Sequence, residues 1–162
     1  MNVKILNNGD NYDLGKFCDE EETVRIFLAG TIDDGTDFDW RYELSDDIIH
    51  WKRDYYKNII LYNPIVHGEY DDNAICWEQY HMDESDYIFM LLTEKAVSSI
   101  SMLELGEYAS SGKLFVFCND KYANYKNVEN ICHKFHIPLA HSDKDGDLFN
   151  MIEHKISLKA RK

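Results

Sequence analysis

Basic residues are scarce in this chain: 17 Lys and Arg stand against 30 Asp and Glu, a formal net charge of −13 with histidine neutral. A field of that sign repels phosphate backbones, whose binding depends on Lys and Arg, so no polymeric nucleic acid is expected as a partner. Long hydrophobic runs are missing too. None approaches the roughly 18 apolar residues that span a bilayer, and Met1 to Asp13 lacks the basic and apolar stretches of a signal peptide. No membrane partner is expected, and a cytoplasmic location is. The four cysteines, Cys18, Cys76, Cys118 and Cys132, form no CxxC pair, which suits free thiols in a reducing compartment. Cys132, His133 and His136 fall short of the four regularly spaced ligands of a structural zinc, so no metal is expected. Only two prolines occur, Pro64 and Pro138, with no repeat or Gly/Pro-rich linker. One domain is expected over 23–162. Ahead of it, 1–22 reads as a polar extension ending in Asp19-Glu20-Glu21-Glu22, which adds an edge strand at Val3 to Leu6 and carries no chemistry.

What is present is core-forming. The chain is 44% hydrophobic and 14% aromatic over 162 residues, a length at which folding buries roughly 70% of the extended chain's surface. Short apolar runs of strand length recur at Val24 to Leu28, Ile59 to Tyr62, Tyr87 to Leu92, Leu114 to Cys118 and, more weakly, Ile137 to Leu139. The third and fourth are apolar almost without a break, as strands covered on both faces are. Between them Phe38 to Tyr56, Ala74 to Met82, Ser101 to Ser111, Lys126 to Phe135 and Asp147 to Lys155 read as helices. In the third of these, Met102, Leu105, Gly106 and Ala109 recur at helical spacing. Alternating strands and helices predict an α/β fold, a three-layer doubly wound sheet of about five parallel strands. Ligands then bind outside the carboxyl ends of the strands, near the point where strand order reverses.

Three loops at those ends matter, Ala29 to Asp39, Asn63 to Asn73 and Thr93 to Ser101, and two of them carry most of the chemistry. The first, Leu28-Ala29-Gly30-Thr31-Ile32-Asp33-Asp34-Gly35, lets main chain approach a ligand at Gly30, but GxGxxG is absent. Asp33, Asp34, Asp37 and Asp39 crowd it with only Arg41 to offset them, so a dianion is repelled there. Asp37 and Asp39 also suit helix caps, and Trp40 fits a ligand wall or the core equally. The second is Ser98-Ser99-Ile100-Ser101-Met102-Leu103-Glu104. In the first turn of a helix Glu104 is expected to stay ionised through the helix dipole, and an ionised carboxylate in a cleft can attack an electrophilic carbon, as in retaining glycoside cleavage. The same spacing, Ser101-x-x-Glu104, equally describes a capping box with no catalysis. Asn63, before Pro64, suits a ligand hydrogen bond or a turn. Asp86 suits local backbone donors at a strand start. Tyr108, Tyr122 and Tyr125 offer a subunit interface or ordinary burial.

The blocks Ile26-Phe27-Leu28-Ala29-Gly30-Thr31-Ile32, Trp40, Leu61-Tyr62-Asn63-Pro64, Cys76-Trp77-Glu78, Ser85-Asp86-Tyr87-Ile88 and Ile100-Ser101-Met102-Leu103-Glu104-Leu105-Gly106 occur in that order. In this ordered combination, from Val24 to Leu139, the chain resembles the nucleoside 2-deoxyribosyltransferase-like superfamily, particularly its Phe-Leu-Ala-Gly branch. The resemblance implies a flavodoxin-like or Rossmann-like fold and a homo-oligomer, a dimer or larger. It implies that Glu104 attacks C1′ of a 2′-deoxynucleoside, releases the base and passes the deoxyribosyl group to another base or to water. Without a 2′-hydroxyl the sugar reaches an oxocarbenium-like state more easily, so a positioned carboxylate can suffice and no cofactor is expected.

Under the same resemblance Glu78 stands where the transferases carry an aspartate that contacts and helps protonate the base. Gly30, Thr31, Ile32, Trp40, Asn63 and Ser98 line the pocket. Ser98 falls where the transferases carry another aspartate and the related deoxynucleotide N-hydrolases a phosphate-binding serine. Phe27 takes the place of the tyrosine that supports the nucleophile, so its hydroxyl is missing; Tyr62, Tyr70 and Tyr80 are the candidates to replace it. The N-hydrolases carry arginine where this chain has Asp33, which favours an unphosphorylated nucleoside. The expected partners are therefore a small-molecule nucleoside and a free base. The alternatives are a deoxynucleoside 5′-monophosphate N-hydrolase and an inactive nucleoside-binding module, the latter motivated by Phe27.

Overall fold

The computed structural model describes residues 2–10, 23–31, 40–50, 58–66, 69–95, 99–141 and 150–154. Among them six strands form one all-parallel sheet: β1 (Asn2–Asn8), β2 (Thr23–Gly30), β3 (Asn58–Val66), β4 (Tyr87–Leu92), β5 (Leu114–Cys118) and β6 (Leu139–Ala140). The helices between them are α1 (Trp40–Ile49), α2 (Asp72–Glu84), α3 (Ser99–Tyr108) and α4 (Tyr125–Phe135), with a further helical turn at 150–154. None of the described helices is long and apolar enough to cross a membrane.

The strand order is β1-β3-β2-β4-β5-β6. Apart from the edge strand β1 this is the doubly wound order of flavodoxin-like sheets, and it reverses direction between β2 and β4. The predicted three-layer α/β architecture is therefore observed. It has six strands because Val3 to Leu6 is part of a full-length strand, β1, paired along β3 from Asn2 opposite Asn58 to Asn7 opposite Asn63.

Strand alternation sends successive side chains to opposite faces. Phe27, Ala29, Ile60, Tyr62, Ile88, Met90, Val116 and Cys118 point to one core with Met82 of α2, Leu105 and Tyr108 of α3 and Val128 and Cys132 of α4. Ile26, Leu28, Ile59, Leu61, Phe89, Leu91, Phe115 and Phe117 point to the other, with Trp40, Leu44 and Ile48 of α1 and Ile152 of the last turn. Every residue of β5 and all but the first of β4 are buried, which is why both read as unbroken apolar runs.

Three local features shape the carboxyl ends of the strands. Gly30 sits at φ +110°, and a Cβ there would collide with the Leu91 main chain, so only glycine lets β2 and β4 close up at the switch point. Pro64 has no N–H to give the ladder, and the β1–β3 register shifts beside it, from Asn7 opposite Asn63 to Asn8 opposite Val66. Asn63 thus lies inside β3 instead of in the loop after it. Asp71 caps α2 by accepting the N–H groups of Asn73 and Ala74, each at 3.0 Å.

Candidate active site

The switch point gathers side chains from four elements. Arg41, on α1, is 1% exposed and donates to the last carbonyls of β2: Nε to Leu28 and Nη2 to Gly30, both at 2.9 Å, and Nη1 to Thr31 at 3.3 Å. These carbonyls lie where the β2 ladder runs out, and a buried guanidinium is a donor set large enough to satisfy them together. Its positive charge acts on two carboxyl groups, Glu78 of α2 and Glu104 of α3.

Glu78 occupies the buried stripe of its helix, at helical spacing between Ala74 and Met82, and is 8% exposed. Burial drives its pKa above the ordinary range. A 2.7 Å hydrogen bond donated by the Tyr70 hydroxyl to Oε2, a second from the Asn8 side chain and the charge of Arg41 pull it back.

Glu104 is half-buried and, among the described residues, accepts no hydrogen bond. Its pKa is pushed up to about 7, by burial first and by the charge of Glu78 next, with Arg41 opposing and Glu107 adding a little. This corrects the expectation of a dipole-stabilised anion. α3 starts at Ser99, so Glu104 lies in the second turn, where the dipole has faded, and burial next to a like charge decides. The capping box fails for the same reason. Ser101 sits within the first turn instead of at the N-cap, and the Glu104 carboxylate does not turn back onto the backbone.

The remaining residues named from sequence divide clearly. Thr31 is buried and welds β2 to β4: its N–H reaches the Leu91 carbonyl at 2.9 Å, and its hydroxyl lies 3.3 Å from that carbonyl and from the Thr93 hydroxyl. Trp40 is in the core, its Nε1 donating to the Thr31 carbonyl at 3.3 Å and its ring under the Arg41 guanidinium. Asn63 has both amide ends engaged, donating to Asn7 Oδ1 at 3.1 Å and accepting from the Ile65 N–H at 3.2 Å. Phe27 is wholly buried, 6.3 Å from Trp77 between ring centres. Ile32 and Ser98 lie outside the described residues, as do Asp33, Asp34, Asp37 and Asp39. Asp86 accepts the Arg25 N–H at 3.0 Å, the backbone role its position suggested. Tyr108 and Tyr122 are buried, and the Tyr125 hydroxyl contacts Glu129 and His141, so these three form no exposed tyrosine patch.

Sequence reading missed Asn8 and named Arg41 and Tyr70 without the roles they take here. Arg41 was visible as a charged residue in register with the α1 stripe of Leu44 and Ile48. Tyr70, one of three tyrosines named as candidate supports, precedes the Asp71 cap, and nothing in sequence set it apart from Tyr62 and Tyr80. Asn8 comes from β1, the segment expected to carry no chemistry, and also donates to the Ala74 carbonyl at 3.1 Å. Among the described residues no group of three or more His, Cys, Asp or Glu is arranged to hold a metal ion.

Chemically this is a pair of carboxyl groups that feel each other's charge at the switch point of a parallel sheet. One is held by hydrogen bonds; the other accepts none among the described residues, and burial pushes its pKa up to about 7. Such a pair can share a proton, with one member as acid while the other attacks or accepts. Comparison with curated proteins finds no match. Residues 23–122, from β2 through the segment after β5, match the family model described as nucleoside 2-deoxyribosyltransferase like. That span is more than half of the chain and includes Arg41, Tyr70, Glu78 and Glu104, and the chain belongs to the nucleoside 2-deoxyribosyltransferase-like family.

Proposed function

We propose that this protein cleaves the N-glycosidic bond of 2′-deoxynucleosides through a covalent intermediate on Glu104. The ionised Glu104 oxygen attacks C1′ and forms an ester to the sugar. The C1′–N bond breaks, and its electron pair leaves with the base, which takes a proton from Glu78. An acceptor base or water then attacks C1′ and gives its proton to Glu78, and Glu104 departs as the carboxylate. With a nitrogen base as acceptor the outcome is deoxyribosyl transfer; with water it is hydrolysis.

The observation that carries this assignment is the unequal treatment of the two carboxyl groups. Glu78 is held by Tyr70 and Asn8 and faces Arg41, so its orientation is fixed. Glu104 has no hydrogen bond to spread its charge among the described residues, and burial leaves it poorly solvated. A carboxylate in that condition is the better nucleophile, and a hydrogen-bonded carboxyl is the better placed acid. Gly30, Thr31, Trp40 and Phe27 act on this reading as the floor that sets the distance between β2 and the pair; Ile32, Asn63 and Ser98 are assigned to the pocket wall. The acidic chain, at −13, favours an unphosphorylated nucleoside over a nucleotide. The test is incubation with a deoxynucleoside and a different free base, followed by chromatography. Base exchange, or base release without an acceptor, is expected. Neither one across the common deoxynucleosides, together with ligand-induced stabilisation, would instead identify a binding module.

A further inference from the structure

We propose that Tyr70 is a positioning residue for this reaction: its hydroxyl holds the Glu78 carboxyl toward the departing base. The inference rests on the reading of Glu78 as the group that protonates the base.

Three tyrosines, Tyr62, Tyr70 and Tyr80, were candidates to support the carboxyl groups of the site, and their surroundings separate them. Tyr62 is buried with its ring stacked on His81 at 4.2 Å, and its hydroxyl faces Arg25 and Glu84, toward the amino ends of the strands. Tyr80 is 61% exposed, with its ring edge-on to His81. Tyr70 alone of the three touches the carboxyl pair, at 2.7 Å from Glu78 Oε2. Tyr70 as a whole is 45% exposed while its hydroxyl reaches a residue that is 8% exposed. Tyr70 belongs to neither hydrophobic core, so core packing gives no reason for the hydroxyl to be aimed inward. Tyr70 adjoins Asp71, whose side chain anchors the start of α2, so the phenol is carried on a fixed point one residue away.

Among the described residues, the titratable and polar groups facing Glu78 are Tyr70 from the segment before α2, Asn8 from β1, Arg41 from α1 and Glu104 from α3. Burial makes its carboxyl hold a proton more tightly, and an acid that holds its proton too tightly cannot release it to a leaving base. A donated hydrogen bond stabilises the ionised form and so eases that release. Tyr70 thus orients Glu78 and moderates its acidity at once.

The test is Tyr70→Phe, which keeps the ring, alongside Glu104→Gln, both checked for native circular dichroism. For Y70F, kcat for base exchange is expected to fall ~10- to 100-fold, the loss of one hydrogen bond to a charged group, with KM nearly constant. The alkaline limb of the kcat profile, where Glu78 gives up its proton, is expected to move to higher pH. Unchanged kcat in Y70F with E104Q inactive overturns the role of Tyr70 alone. A drop in kcat with the alkaline limb unmoved overturns it as well, because a merely structural contact would act that way. Turnover retained in E104Q overturns the underlying reading and this inference with it.

Discussion

Replacing Glu104 by glutamine is expected to stabilise the protein while destroying its activity, and the gain should depend on pH in a defined way. A carboxyl raised from 4.5 to about 7 on folding is easier to bury protonated than ionised. Between those values the folded state binds more protons than the unfolded one, so stability falls as pH rises. Below about pH 4.5 both states are protonated and Glu104 contributes nothing; above about pH 7 the full cost applies. At 1.36 kcal/mol for each tenfold change in proton affinity, that cost is up to ~3 kcal/mol at pH 8 and ~1.5 kcal/mol at pH 5.5. Glutamine has the same shape without the charge and removes it. For a chain of this size 1 kcal/mol moves the melting temperature by about 2–4 °C. E104Q should therefore melt ~6–12 °C above wild type at pH 8 and roughly half as far above it at pH 5.5. Thermal unfolding by circular dichroism at the two pH values reads this directly. A capping role predicts the opposite sign. An E104Q variant less stable than wild type, or shifted equally at both pH values, would refute the electrostatic argument.

Two further substitutions probe the same geometry. Glu78→Gln removes the charge that adds to burial in raising Glu104, so the acid limb of the residual base-release profile should move to lower pH, while kcat falls ~10²–10⁴-fold as general acid catalysis is lost. An unmoved limb would show that the two carboxyl groups do not interact. Gly30→Ala forces a Cβ into the Leu91 main chain at positive φ and should destabilise by at least ~1–3 kcal/mol in urea titrations; a neutral effect would mean that β2 and β4 are not as close as described.

Much of the fold was legible because it follows from local pattern. β4 and β5 are buried on both faces, and their apolar runs announced a covered parallel sheet. Trp40, left open between ligand wall and core, lies on the inner face of α1 with Leu44 and Ile48. Glu78 was legible in principle, as the one charged residue on the buried stripe of α2 with Ala74 and Met82. The start of α3 was not. Ser99 and Ser101 are both competent first-turn or cap residues, and which is used depends on where the tertiary packing of Leu105 and Tyr108 sets the helix. A shift of two residues turned an expected cap into a half-buried carboxyl and reversed the direction of its pKa. The partners of Glu78 were illegible for a different reason. Asn8 reaches it only because β1 pairs with β3, and Tyr70 only because the Asp71 cap fixes the approach to α2. Neither contact leaves a periodic trace in sequence. Asn63 was expected at the carboxyl end of its strand, just before Pro64; the strand instead runs on to Val66, past the register shift in β1–β3.

The most direct measurement is mass spectrometry of protein quenched during turnover of a 2′-deoxynucleoside with no acceptor base, followed by peptide mapping. The expected result is one added deoxyribosyl group, carried on Glu104 and chased away when a free base is supplied. Active protein that never carries the sugar, or carries it on Glu78, would contradict the assignment of Glu104 as the attacking group.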